Sequence, residues 1–287
     1  VKVGGFSWTL AGTFTKNVNT IESLTEGVDQ IRLAGFTSPG IYIVRNQGYG
    51  VIWGSRYQRD DQGRVIIDDD PTSGSYGLPA AVDGNLGVIG ITQPDWLGSL
   101  RNTFSFSNER LGSFSLGAVL DKREGGDILN MDNFYLNFYG TPKATEVRDG
   151  RYTDPADPTK GVTGPSFVYP NGVLSDGQPN NIQVPYDETY WRVNWGLAQE
   201  EWVEDGSYIR LREVTFTYSL PRKVLQKSSL FQDVSFVVTG RNLYLNAPNF
   251  TGSDPETSLY GSANGQGFYN FITPATKSWN VGLNVTF

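Results

Sequence analysis

Carboxylates, guanidiniums and aromatic rings carry most of the chemistry open to this chain, because its 287 residues include no Cys and no His. Thiol nucleophiles, zinc held by Cys or His, and every Ser-His-acid or Cys-His arrangement are thereby excluded within it. Glycosidase-type catalysis needs two carboxyl groups facing one another across a bond. The acids here instead gather in irregular stretches, as in Asp60-Asp61 and Asp68-Asp69-Asp70. The aspartate triplet resembles a fragment of a calcium loop, but it lacks EF-hand spacing and reads as a solvated acidic turn. No enzymatic activity, metal or cofactor is expected. A net charge of −7 argues against nucleic acid as a partner, since phosphate binding relies on clustered Lys and Arg.

What remains is recognition. Tyr190, Trp191, Trp195 and Trp202 make one irregular stretch rich in aromatics, and Tyr49 and Trp53 do the same in another. Such rings stack on sugar faces or pack on peptide side chains; the blander reading is packing among themselves. Arg101, Arg210, Arg212 and Arg241 fall by parity or proximity on the polar faces of regular segments, where they bind a ligand or brace the interior through salt bridges.

The elements that position these residues are strands of period two. In Ser278 to Phe287 the residues Trp279, Val281, Leu283, Val285 and Phe287 alternate with small or polar partners, giving one apolar and one polar face. Phe6, Trp8, Leu10, Gly12 and Phe14 repeat the pattern, as do Trp96 to Phe106 and Phe114 to Leu120, which a tight turn at 107–110 joins into a hairpin. Two further segments change parity partway, near Arg212-Glu213 and around Gly240, which predicts β-bulges; failing a bulge, Ile209 and Leu211 point inward. Six strands follow, near 4–16, 94–107, 111–122, 206–220, 233–245 and 277–287. The turn from Pro221 to Ser229 carries Lys223 and Lys227, read as solvated turn charges.

Two architectures bury such faces: a soluble β-sandwich that binds carbohydrate, or an outer-membrane barrel with lipid outside and a polar lumen. Connections 107–112 and 221–232 are short, whereas 17–93, 123–206 and 246–276 are very long, and the two kinds alternate. Long loops without regular structure are uncommon in compact soluble domains, but they are the external loops of barrels. Barrel strands need only about 10 alternating residues, so the lack of a long apolar run does not argue against a membrane. The all-β barrel is the favoured architecture. Phe6, Trp8, Trp96, Phe104, Phe106, Phe216, Tyr218, Trp279 and Phe287 are then lipid-facing or girdle aromatics.

A family resemblance rests on motifs in order. Gln93-Pro94-Asp95-Trp96-Leu97-Gly98, Asp121-Lys122-Arg123-Glu124-Gly125-Gly126-Asp127, Gly206-Ser207-Tyr208-Ile209-Arg210-Leu211-Arg212-Glu213, Thr239-Gly240-Arg241-Asn242-Leu243, Ser253-Asp254-Pro255-Glu256 and Asn264-Gly265-Gln266-Gly267-Phe268 are the pieces. Together they resemble the C-terminal third of SusC/RagA-type TonB-dependent transporters of Bacteroidetes. The resemblance implies an all-β fold: the C-terminal six antiparallel strands of a transmembrane barrel of about 22, with long extracellular loops and the plug domain absent from this chain. It also implies an outer-membrane location in the lipid and LPS bilayer. The implied partners are the remaining N-terminal strands and plug, a SusD-like surface lipoprotein lid, TonB-ExbB-ExbD acting through the plug, and an oligosaccharide or oligopeptide substrate. Under it, Arg101, Arg210, Arg212 and Arg241 face the lumen or plug, and Phe287 resembles the signal read by the barrel-insertion machinery. Six strands do not close alone, so the expectation is the C-terminal piece of a longer or cleaved chain, or half of a split protein.

Overall fold

The computed structural model describes residues 1–226 and 230–287; Lys227 lies outside the described residues. An antiparallel seven-stranded sheet forms a wall. The short Lys2–Val3 is followed, in chain order, by Phe6–Thr15, Trp96–Asn108, Gly112–Glu124, Tyr208–Ser219, Asp233–Asn246 and Ser278–Thr286. These last six are the first to sixth wall strands below. The sheet is open, with Lys2–Val3 at one edge and Ser278–Thr286 at the other.

Register aligns like with like. Trp8 pairs with Phe104, Phe104 with Leu116, Leu116 with Phe216, Phe216 with Val238 and Val238 with Val281, an unbroken apolar row across six strands. The row one step away, on the opposite face, runs Thr9, Thr103, Gly117, Thr215, Thr239, Asn280. There Thr215 and Thr239 share a hydroxyl hydrogen bond of 3.1 Å. Because side chains alternate across a strand, each face keeps its predominant character across the sheet, with exceptions such as Asn102, which accepts the Trp8 indole N–H on the apolar face. Aromatic pairs such as Trp8–Phe104, with ring centroids 6.1 Å apart, reinforce the apolar face.

A soluble sandwich would lay a second sheet over that face. Among the described residues nothing covers it in the sixth strand, where Trp279 is 67%, Val281 79% and Leu283 57% exposed. An uncovered apolar face of this extent marks contact with lipid or a partner.

The parity changes are bulges. Pairing slips between Leu211 and Glu213 of the fourth strand, against both neighbours. Leu211 opposite Leu120 therefore stays on the apolar face together with Val214 opposite Ala118, and the bulge at Arg212 resets the face. In the fifth strand the irregularity lies opposite it, at Asn242–Leu243 rather than at Gly240, with Asn242 at a φ of 52°.

All tight connections lie at one end of the wall and the three long segments at the other. These long segments are not featureless, as the sequence suggests. The first forms an antiparallel sheet of Gln30–Gly35, Gly40–Val44, Val51–Tyr57 and Ala81–Ile91. The second and third combine in a small sheet of Val203–Asp205, Asp127–Asn130 and Phe268–Tyr269. The hydrophobic core sits here and not in the wall. Ala34, Ile41 and Ile52 of the first segment pack with Leu129, Met131 and Trp202 of the second and Phe268 of the third. Glycine permits close approach within it: a Cβ on Gly54 would come 2.8 Å from the Gln199 amide oxygen, which accepts from the Ser55 backbone N–H.

Candidate functional site

The helix Met131–Phe138 follows directly from the strand Asp127–Asn130, and Asn130 caps it by accepting the Asn133 backbone N–H. Its polar side is pinned by Glu204. That carboxylate accepts from Asn130 Nδ2 and Asn133 Nδ2 at 2.9 Å each, from the Thr251 backbone N–H at 2.8 Å and from its hydroxyl at 2.6 Å. One acid thus locks the second long segment to the third.

Two clefts flank this helix. The larger, about 720 Å³, is bordered by Asp132, Asn133, Asn137, Trp191, Trp195 and Phe271, with Thr251 to Ser253 and Tyr269 behind. The smaller, about 470 Å³, is bordered by Phe138, Tyr139, Arg148, Glu188 and Arg192, and shares Asn137 and Trp191 with the first. Arg192 pairs with Glu188 at 3.0 Å and lies over the Phe138 ring.

Of the aromatic residues singled out in the sequence, Trp191 and Trp195 border the larger cleft, whereas Tyr190 packs on Trp191 and borders neither cleft. Trp191 stacks on Tyr186 at 5.7 Å and 12°, meets Tyr190 edge-on at 4.9 Å, and donates its indole N–H to the Val147 carbonyl at 2.9 Å. Burial pushes the Tyr190 hydroxyl well above its ordinary pKa. Trp195 packs against the core that buries Trp202. Tyr49 and Trp53 lie elsewhere: the Tyr49 backbone N–H is held by Asn19, and Trp53 packs on Tyr42 in the four-stranded sheet. Asp132, Asn133, Asn137 and Phe271 were not singled out. The first three share one sequence signal, the amide-and-aromatic run Met131-Asp132-Asn133-Phe134-Tyr135-Leu136-Asn137-Phe138; Phe271, in the third long segment, has none.

The arginines form a second arrangement. Arg210 is buried and reaches Asp254 at 2.5 Å and Glu256 at 3.1 Å. Arg212, carried on the bulge, reaches Asp121 at 2.6 Å and Glu256 at 2.5 Å. The Tyr208 hydroxyl also donates to Glu256. Burial raises the Glu256 pKa, but the hydrogen bonds from Arg212 and Tyr208 and the nearby guanidinium charges outweigh it and hold the carboxyl below its usual range. Ser253-Asp254-Pro255-Glu256 is thus the acidic half of a clamp between the third long segment and the wall. Arg241 pairs with Glu213 at 3.0 Å. Arg101 sits exposed on the polar face with no ion pair among the described residues.

Phe287 is exposed beside Phe231, ring centroids 5.6 Å apart. The aspartate triplet is knitted into its turn: Asp68 accepts from the Ser73 and Ser75 hydroxyls, Asp70 from Thr72, and Asp69 from Ser175.

No protein-family model matches the chain. Among curated proteins it is similar to TonB-dependent receptor P3 of Formosa agariphila, 26% identical over 307 residues that cover 98% of this chain and 27% of the receptor. TonB-dependent receptor P26 of the same organism is 28% identical over 244 residues, 83% of this chain and 20% of that one. Among solved structures, the RagAB peptide transporter matches with a TM-score of 0.62 at 16% identity, over 99% of this chain and 27% of the solved one. The RagAB peptide importer in its open-open state matches at 0.59, also 16% identical, over 100% and 27%. The chain thus spans about a quarter of the length of these proteins, and over almost its whole length it shares the fold of the RagAB structures. Sequence and fold together support the SusC/RagA-type TonB-dependent transporter resemblance carried by the motifs.

Proposed function

We propose that this chain is the C-terminal wall and loop assembly of a TonB-dependent importer that takes up oligosaccharide or oligopeptide nutrients across the outer membrane beneath a SusD-like lipoprotein lid. The observation that carries the reading is the two-faced wall: an unbroken apolar row backed by hydroxyl and amide side chains, with all long segments folded together at one end. Preceding strands of the same transporter complete the barrel, and a plug coupled to TonB-ExbB-ExbD opens it. The segment's own work is binding and gating. Arg101 and Arg241 line the lumen side, Arg210 and Arg212 brace the third loop, and the clefts beside the helix Met131–Phe138 receive substrate on Trp191 and Trp195. Phe287 contributes to recognition by the insertion machinery.

The test is purification of the full-length transporter, tagged, from detergent-extracted outer membranes. Co-purification of a surface lipoprotein, with TonB-dependent uptake of labelled oligosaccharide or oligopeptide pools, supports the reading. A monodisperse protein that needs no detergent overturns it.

A further inference from the structure

The apolar face of the wall is hollowed across its first three strands. Register sets Gly12 against Leu100 and Leu100 against Leu120; one step nearer the long segments it sets Phe14 against Gly98 and Gly98 against Lys122. Two of these outward positions carry no side chain, and together they border a groove of about 380 Å³. At Gly12 its floor is open: a Cβ there would meet nothing nearer than the Ser99 carbonyl oxygen, 3.6 Å away. At Gly98 the Trp96 ring lies against the backbone, 3.1 Å from where a Cβ would stand, and stacks on Phe14 with centroids 5.7 Å apart.

Donors gather at the end of the groove that faces the long segments. Lys122 Nζ pairs with Glu124 at 2.7 Å, and an ammonium so engaged keeps two further donors. The Trp96 indole N–H has no partner among the described residues, and neither has the Lys16 ammonium, exposed just beyond the first wall strand. Among the outward residues of this rim, Lys16 and Lys122 stand against Glu124, which leaves a net positive charge. Hydrocarbon alone fills the groove and leaves these donors unanswered. An anionic oxygen answers them through charge-assisted hydrogen bonds, and an indole with its apolar body in hydrocarbon and its N–H at headgroup level suits the same boundary. The charge of the rim calls for a phosphate, and its direction, toward the long segments, selects the outer leaflet. We propose that this groove binds a phosphorylated glycolipid of the outer leaflet, with one acyl chain lying over Gly12 between Leu100 and Leu120 and a phosphate held by Lys122 and the Trp96 indole N–H. The proposal rests on the outward apolar face of the importer reading above.

The test uses the full-length transporter, stripped of lipid in detergent and then mixed with phosphorylated lipid A, with the same lipid A after phosphatase treatment, or with phosphatidylglycerol. Retained lipid is counted by native mass spectrometry. The expected result is retention of phosphorylated lipid A, reduced tenfold or more by Gly12→Leu and severalfold by Lys122→Gln, with little retention of the other two lipids. Gly12→Leu fills the groove and adds an apolar side chain to an apolar face without a close contact, so the folded fraction should be unchanged, as heat-modifiable mobility checks. Val281→Phe, on the same face of the sixth strand, should leave retention as it is. Equal retention in the parent and both groove variants, equal retention of dephosphorylated lipid A, or an equal loss in Val281→Phe overturns the site, and phosphatidylglycerol retained as well as lipid A overturns the choice of glycolipid. TonB-dependent uptake measured alongside separates the two readings: uptake without lipid retention removes the groove's ligand and leaves the importer standing, whereas a transporter that is monodisperse without detergent removes both.

Discussion

Arg210 on the fourth wall strand and Asp254 in the third long segment form an ion pair at 2.5 Å with side chains only 2% and 3% exposed. A pair this deep is weak evidence of net stabilisation, but each partner depends on the other, since either charge left alone is strongly unfavourable.

Asp254→Ala is therefore expected to destabilise the docking of the third segment by about 3–5 kcal/mol. Most of that loss should be recovered when Arg210→Met is added to Asp254→Leu. Protease cleavage within 247–267 of the folded transporter reads the effect. Equal cleavage in the parent and the single variant would show that the clamp does not hold the segment.

The pH dependence has a sign. Glu256 is held below the usual carboxylate range, so its contribution is complete at neutral pH and is lost as pH falls through the lowered value. Hydrogen exchange at 253–259, corrected for its intrinsic pH dependence, should rise between about pH 5 and about pH 2. In Glu256→Gln that step should vanish, and exchange at neutral pH should already be faster.

Glu201 behaves oppositely. Burial raises its pKa and the neighbouring Glu200 adds to the rise, against hydrogen bonds from Tyr169 and Tyr57. Its charged form costs stability above the raised pKa, and the cost fades as pH falls below it. Glu201→Gln should raise the thermal midpoint of the loop assembly at neutral pH, with the two proteins converging in acid. A midpoint lowered at every pH would show that the carboxylate's hydrogen bonds outweigh its burial.

The two faces of the wall should tolerate charge unequally. Leu116→Arg places a guanidinium in the middle of the apolar row and is expected to cost about 2–4 kcal/mol in a bilayer. Thr9→Lys, on the opposite face, should leave assembly unchanged. The folded fraction seen as heat-modifiable mobility decides it; equal loss in both would mean the faces are assigned wrongly.

Much of this was legible in the sequence, and the boundary is physical. A strand with one face in an apolar medium writes its period directly into residue type, so Trp279 to Phe287 and Phe6 to Phe14 are readable without a structure. Parity also exposed the bulge at Arg212, because an inserted residue flips everything beyond it. It placed the companion irregularity two residues early, since Asn242 bends through its backbone and leaves no mark on apolar periodicity. The long segments were opaque for another reason. Their strands are short, and the core residues Ile52, Trp202 and Phe268 meet from three connections that no local pattern links. Parity put Arg210 on the polar face but had no means of naming Asp254, 44 positions away. The same limit hid Asn133, which Glu204 reaches from a different strand, and Asn137, which in turn donates to Asn133.

That the buried core lies in the loop assembly, while the wall keeps its apolar side outward, gives the protein two solvents to answer to. Water drives the first to collapse, and its cohesion fades in urea. The second gains nothing from water and is held by backbone pairing and by whatever hydrocarbon surrounds it. Denaturation should accordingly run in two stages, urea stripping the mouth while the wall survives in detergent. The loop assembly would be the first to melt and the first to reform.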